Sequence, residues 1–210
     1  PQEAVTLVNV LDIQSVYDIR GAREVAANPE PALPGVRMLA VEPRDGRKKR
    51  DAHSRLVHGV IGEYGAPEQR MCDNYRRYAS DYPLIGTVLR SIAAQGGPAL
   101  VHCKNGKDRT GVLCACALRI AGYSHDYIVA DYLTTNAINA QAIAREAADL
   151  SQGMTAEEHA ILMSFLEARE SYLEAFFDEA DKRYGSFEAY VLRGLKLTPE
   201  QCKRLREMLG

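Results

Sequence analysis

In the stretch "GGPALVHCKNGKDRTGVLCACALRIAG" a thiol, Cys103, closes a short apolar run, and Lys104, Lys107 and Arg109 follow it closely. The run reads as a buried strand over 98–102, and the segment from Arg109 to Ile120 reads as a helix ended by Gly122. A loop between a strand and a helix N-terminus offers unpaired backbone N–H groups and a partial positive charge. Gly106 lets the chain wrap closely around an anion, and successive N–H groups form a nest. The same field favours the thiolate of Cys103, which is the nucleophilic form. The planar fork of Arg109 suits two oxygens of one phosphoryl group. A cysteine that merely filled the core would leave this concentration of charge without a purpose.

Other elements must position that loop. Val16–Ile19 reads as a buried strand that leaves through Arg20 and Gly21, and "VRMLAVE" as a second strand. "AVTLVNVLDI" fits either a short helix or a strand. From Pro67 to Ala94, apolar residues recur at spacings of three and four, with Pro83 breaking the helix they imply. After Gly122 the pattern is helical throughout: a helix with Ser124 as N-cap, and a long helix over 154–184 with a Thr155/Glu158 capping box and Gly185 at its end. A short helix follows over 186–195, then a last one with Thr198 as N-cap and Pro199 in its first turn. Strands that come early and alternate with helices predict an α/β fold: a mostly parallel central sheet flanked by helices, under an all-helical C-terminal layer. The expected organisation is one domain over 1–210, with an α/β core over 1–122, the phosphate loop at 102–110 and the helical part at 123–210.

The 210 residues carry a formal net charge of −2, so nothing global points to nucleic acid. No apolar run is long enough to span a membrane, and the N-terminal stretch does not read as a signal peptide. Five irregularly spaced cysteines argue against a disulfide framework and for a reducing compartment. A cytoplasmic location is expected, with a secreted effector as the alternative. Cys114 and Cys116 stand two apart on a helix and face different ways, so they read as core residues rather than a metal pair. No metal or cofactor is required.

The string His102-Cys103-Lys104-Asn105-Gly106-Lys107-Asp108-Arg109-Thr110 fills every fixed position of H-C-x-x-G-x-x-R-[ST]. It resembles the signature of the protein tyrosine phosphatase superfamily, in the strand–loop–helix context that the signature needs. With the following Gly111 it is similar to a bacterial and fungal subgroup with H-C-x-x-G-K-D-R-T-G loops, which includes secreted mycobacterial and listerial enzymes acting on phosphotyrosine and phosphoinositides. "VYDIRGARE" resembles that group's D-L-R-x-x-x-E element, and the resemblance covers most of the chain from about residue 15 on. Those proteins begin with an N-R-D-x-G-G-like strand, which this sequence starts too late to hold. A sulfurtransferase also places a cysteine in an anion loop, but with a shorter Cys-to-Arg spacing. A non-catalytic phosphate-binding module would have lost Cys103 or Arg109.

The resemblance implies a two-step reaction. Cys103 attacks phosphorus to give a thiophosphate intermediate, and water then hydrolyses it. Arg109 and the loop, with Lys104, Asn105, Gly106, Lys107 and Thr110, hold the phosphoryl oxygens. Thr110 would hydrogen-bond the Cys103 sulfur, and His102 would brace the loop from behind. The leaving group needs a proton. Asp108 is the leading candidate, Asp45 the next, and Glu42 and Asp51 are also placed for it by chain order. Lys104 and Lys107 make the loop similar to phosphoinositide phosphatases. The run Arg44, Arg47, Lys48, Lys49 and Arg50 could recruit an anionic headgroup, an acidic phosphopeptide or an anionic membrane surface. Expected partners are therefore a phosphorylated protein or a phosphoinositide. Low-pKa thiols are oxidation-prone, and Cys72 or Cys114 could resolve an oxidised Cys103.

Overall fold

The computed structural model describes residues 6–41 and 68–210. Three strands form a parallel sheet in the order β2-β1-β3: β1 Ser15–Asp18, β2 Arg37–Ala40 and β3 Ala99–His102. All of β1 is buried, as a central parallel strand covered on both faces must be. Its register sets Asp18 beside Ala40 on one side and beside His102 on the other. The C-terminal ends of the strands thus meet at one place, which is where open α/β sheets bind ligands.

Helix α1, Ala22–Ala27, lies on the connection from β1 to β2. Helices α2, Gln69–Ser80, and α3, Leu84–Gln95, precede β3 and are separated at Pro83 as expected. Helix α4, Asp108–Ala121, follows the loop and ends at Gly122 in a left-handed cap. Then come α5, His125–Ile138, with the Ser124 side chain accepting from Tyr127 N–H, and α6, Ala140–Leu150. Helix α7, Ala156–Leu166, carries the Thr155/Glu158 capping box. The chain ends with α8, Glu170–Tyr184, the single turn α9, Phe187–Ala189, a π-helical turn over Tyr190–Gly194, and α10, Pro199–Leu209. The ambiguous N-terminal stretch forms a π-helical turn over Thr6–Val10.

One buried cluster runs from Tyr17 through α2–α5 and α8 to Leu205, so the sheet and the C-terminal helices share a core. Helix α8 turns Tyr172, Leu173, Phe176, Phe177 and Ala180 inward. Arg119 on α4 lies 4.5 Å from the ring centres of both Phe177 and Phe187, a cation–π tie between the helix after the loop and the C-terminal layer. Helices α6 and α7 build a smaller cluster of their own around Ala147, Ile161, Leu162 and Leu166.

The expected single helix over 154–184 is two helices. Glu167 and Arg169 are extended between α7 and α8. Tertiary contacts hold the break open. Asn136 on α5 grips the Ala168 peptide from both sides, its Nδ2 donating to Ala168 O at 2.8 Å and its Oδ1 accepting from Ala168 N–H at 2.7 Å. Arg169 pairs with Glu68 and Glu167. Lys107 Nζ donates to Phe165 O at 2.5 Å and to Glu167 O at 3.2 Å. The carbonyls that the interrupted helix leaves unpaired thus find donors from elsewhere.

Candidate active site

The loop between β3 and α4 carries the chemistry. Cys103 is buried, with 8% of its surface exposed, at the end of β3. Gly106 has φ +66°, a left-handed conformation that a side chain would strain. With it the loop turns back on itself before α4 begins at Asp108. Lys104, Asn105 and Gly106 are exposed on the rim. Asn139, between α5 and α6, donates from Nδ2 to Asn105 O at 3.3 Å and braces that rim.

Arg109 is held from the strand side. Its Nη1 and Nη2 each donate to one oxygen of Glu24 at 2.7 Å, and Nη1 also reaches Ile19 O at 3.3 Å. A guanidinium has five N–H donors, and these contacts use three. The two that remain, on Nε and Nη2, share one edge, and that edge is the fork a phosphoryl group needs. Burial opposes the charge on Arg109, but the Glu24 hydrogen bonds and the nearby Cys103 outweigh it and hold the guanidinium protonated. Gly21 N–H donates to Glu24 Oε2 at 2.8 Å, and the turn that carries it is polar. Arg20 in the β1–α1 turn grips Asp18 with Nε and Nη2, and also reaches Glu30 and Asn28 O.

His102 sits behind the loop. Its Nδ1 is 3.4 Å from Cys103 O, and its Nε2 is 3.9 Å from Asp18 and 3.8 Å from Glu30. Asp18, Glu30 and His102 have the donor types of a metal centre. Arg20 already lies against both carboxylates, so a cation occupies the place a metal would take.

Asp108 is held from the helical side. Its Oδ1 accepts from Tyr75 OH at 2.9 Å, and Tyr75 OH is 2.6 Å from Tyr132 OH. Lys107 Nζ lies 3.5 Å from the same oxygen. Phosphate-binding was expected of Lys107. It is nearly wholly buried and committed to the carbonyls of Phe165 and Glu167. Thr110 Oγ1 is buried and makes no hydrogen bond among the described residues, so the expected contact with the Cys103 sulfur is not formed here.

Glu42, Asp45, Asp51 and the basic run Arg44–Arg50 lie outside the described residues. Cys72 lies on α2 with its thiol against Ser171 O, and burial raises its pKa. Burial pushes Cys114 up to about 11. Neither is a ready thiolate. Tyr75, Tyr132 and Asn139 carry no local signal that assigns them to the loop. Glu24 is the last residue of "VYDIRGARE", the glutamate of the D-L-R-x-x-x-E element.

The whole chain, residues 1–210, matches the sequence profile of the tyrosine phosphatase family. It is 31% identical over 229 residues to the triple specificity protein phosphatase PtpB of Mycobacterium tuberculosis, covering 95% of this chain and 83% of that protein. It is 37% identical over 115 residues to a Cupriavidus necator protein named "Putative tyrosine-protein phosphatase", covering 52% of this chain and 40% of that one. The chain belongs to the tyrosine phosphatase family and is a phosphoric monoester hydrolase. No helix among the described residues is long and apolar enough to cross a membrane.

Proposed function

From this membership of the tyrosine phosphatase family, we propose that the chain acts as one phosphatase domain over residues 1–210 and hydrolyses phosphotyrosine in proteins, phosphoinositides, or both, through a thiophosphate on Cys103. The observation that carries the reading is the half-used fork of Arg109 beside Cys103: Glu24 fixes one edge and leaves the other to a phosphoryl group. The Cys103 thiolate forms the S–P bond as the P–O ester bond breaks. The departing oxygen takes a proton from Asp108. Water then attacks phosphorus and gives its proton to Asp108, and phosphate leaves as the thiolate is restored. Loop N–H groups and Arg109 stabilise the oxygens that gather charge in both steps.

Lys104 and the basic run over 44–50 favour a multiply charged headgroup or an anionic surface over a neutral peptide. Five free thiols suit a reducing, cytoplasmic compartment. Phosphate release from a phosphotyrosine peptide, a phosphoserine peptide and phosphoinositides tests the reading in wild type and Cys103→Ser. Turnover falls to background in the variant on every substrate; turnover that survives contradicts the mechanism. Arg47→Glu with Lys48→Glu lowers phosphoinositide turnover more than p-nitrophenyl phosphate turnover if the run recruits headgroups, and equal losses contradict that.

A further inference from the structure

Three polar groups, Tyr75, Tyr132 and Asp108, meet inside the helical half. Tyr75 on α2 is wholly buried and Tyr132 on α5 nearly so, and the Tyr75 hydroxyl bridges Asp108 Oδ1 and the Tyr132 hydroxyl. Burial raises both phenol pKa values well above the ordinary range, so each hydroxyl keeps its proton at any working pH. The proton order follows from valence. Tyr75 donates to Asp108 Oδ1, so the hydrogen between the two phenols comes from Tyr132.

Gly111 makes this arrangement sterically feasible. A Cβ there would lie 2.8 Å from two carbons of the Tyr132 ring, closer than such contacts allow. The last glycine of K-D-R-T-G therefore admits the Tyr132 ring against α4, one turn from Asp108. Tyr75 donates to Oδ1 and Lys107 Nζ lies 3.5 Å from the same oxygen, so the carboxylate is oriented through Oδ1 alone. Oδ2 is the oxygen left to carry a proton.

We infer that Tyr75 and Tyr132 are positioning residues that orient Asp108 so that Oδ2 exchanges its proton with the leaving group. The inference rests on the proposed role of Asp108 as the acid. A general acid matters for a poor leaving group and hardly at all for a good one, and a merely structural residue has no such selectivity.

The test compares phenyl phosphate with p-nitrophenyl phosphate on wild type, Asp108→Asn, Tyr75→Phe and Tyr132→Phe, each checked for folding by circular dichroism. Tyr75→Phe lowers kcat on phenyl phosphate about tenfold and on p-nitrophenyl phosphate by less than about twofold. Tyr132→Phe gives a smaller loss with the same selectivity. Should Tyr75→Phe fail to fold, the double variant Tyr75→Phe/Tyr132→Phe leaves no orphaned hydroxyl and decides the matter. Equal losses on both substrates, or none, overturn the positioning role when Asp108→Asn is itself selective for phenyl phosphate. An unselective Asp108→Asn overturns the assignment of the acid, and the inference with it.

Discussion

Asp108 and Arg109 are neighbours in sequence, yet opposite halves of the molecule hold them. Arg109 is fixed from the strand side by charge: Glu24 grips it, and Arg20 with Asp18 braces the turn behind. Asp108 is fixed from the helical side by the neutral Tyr75 phenol, which Tyr132 holds in turn, with the Lys107 ammonium 3.5 Å from the same oxygen. The difference matches the two tasks. A group that binds phosphate should never change its charge, and an ion pair locks it. A group that carries a proton must change its charge in each step, and a neutral donor holds it in place through both states.

The comparison can be broken first at Arg109. Arg109→Lys keeps a positive charge but loses the fork that meets Glu24 and phosphate together. We expect kcat/KM to fall about a thousandfold on all substrates, measured as initial rates of phosphate release. A loss of tenfold or less would mean that charge alone suffices there.

A second break is Asp18→Asn, which leaves the buried Arg20 guanidinium short of its main partner. The stability lost at neutral pH is about 3 kcal/mol, read from denaturant unfolding. Burial works against the Asp18 carboxylate, but the Arg20 hydrogen bonds and His102 outweigh it, so its pKa is lowered. The depressed carboxyl contributes stability above its unfolded pKa and loses it as pH falls through the folded one. The gap between wild type and Asp18→Asn should therefore be full at about pH 7 and close towards about pH 3. A gap that does not narrow in acid contradicts the charge-based bracing.

The smallest effect sharpens the helical side. Lys107→Met removes the donor to Phe165 O and Glu167 O and should cost about 2 kcal/mol. Faster amide exchange should be confined to the segment between α7 and α8. If it spreads instead to β1 and α1, the two halves are not separately held.

What was legible in the sequence was local. Gly106, Gly122 and Gly185 take the left-handed backbone their positions imply, and Ser124, Thr155 and Thr198 cap the helices they precede. Each of those features is decided within a few residues, so a short window contains the cause. The partners of Arg109 and Asp108 lie 85 and 33 residues away, and nothing in a window reports them. The acceptors of Lys107 lie 58 and 60 residues on and are equally invisible to a short window. The break between α7 and α8 left no local mark either. Asn136, Arg169 and Lys107 impose it on a segment whose apolar spacing is continuous.

In the proposed reaction the phosphoryl group passes through Cys103. Acid-quenching the enzyme during turnover of p-nitrophenyl phosphate and weighing the intact protein tests it most directly. One added phosphoryl group is expected, mapped by peptide mass to Cys103 and absent from Cys103→Ser. A phosphoryl group on another residue, or an adduct that persists in Cys103→Ser, would contradict it.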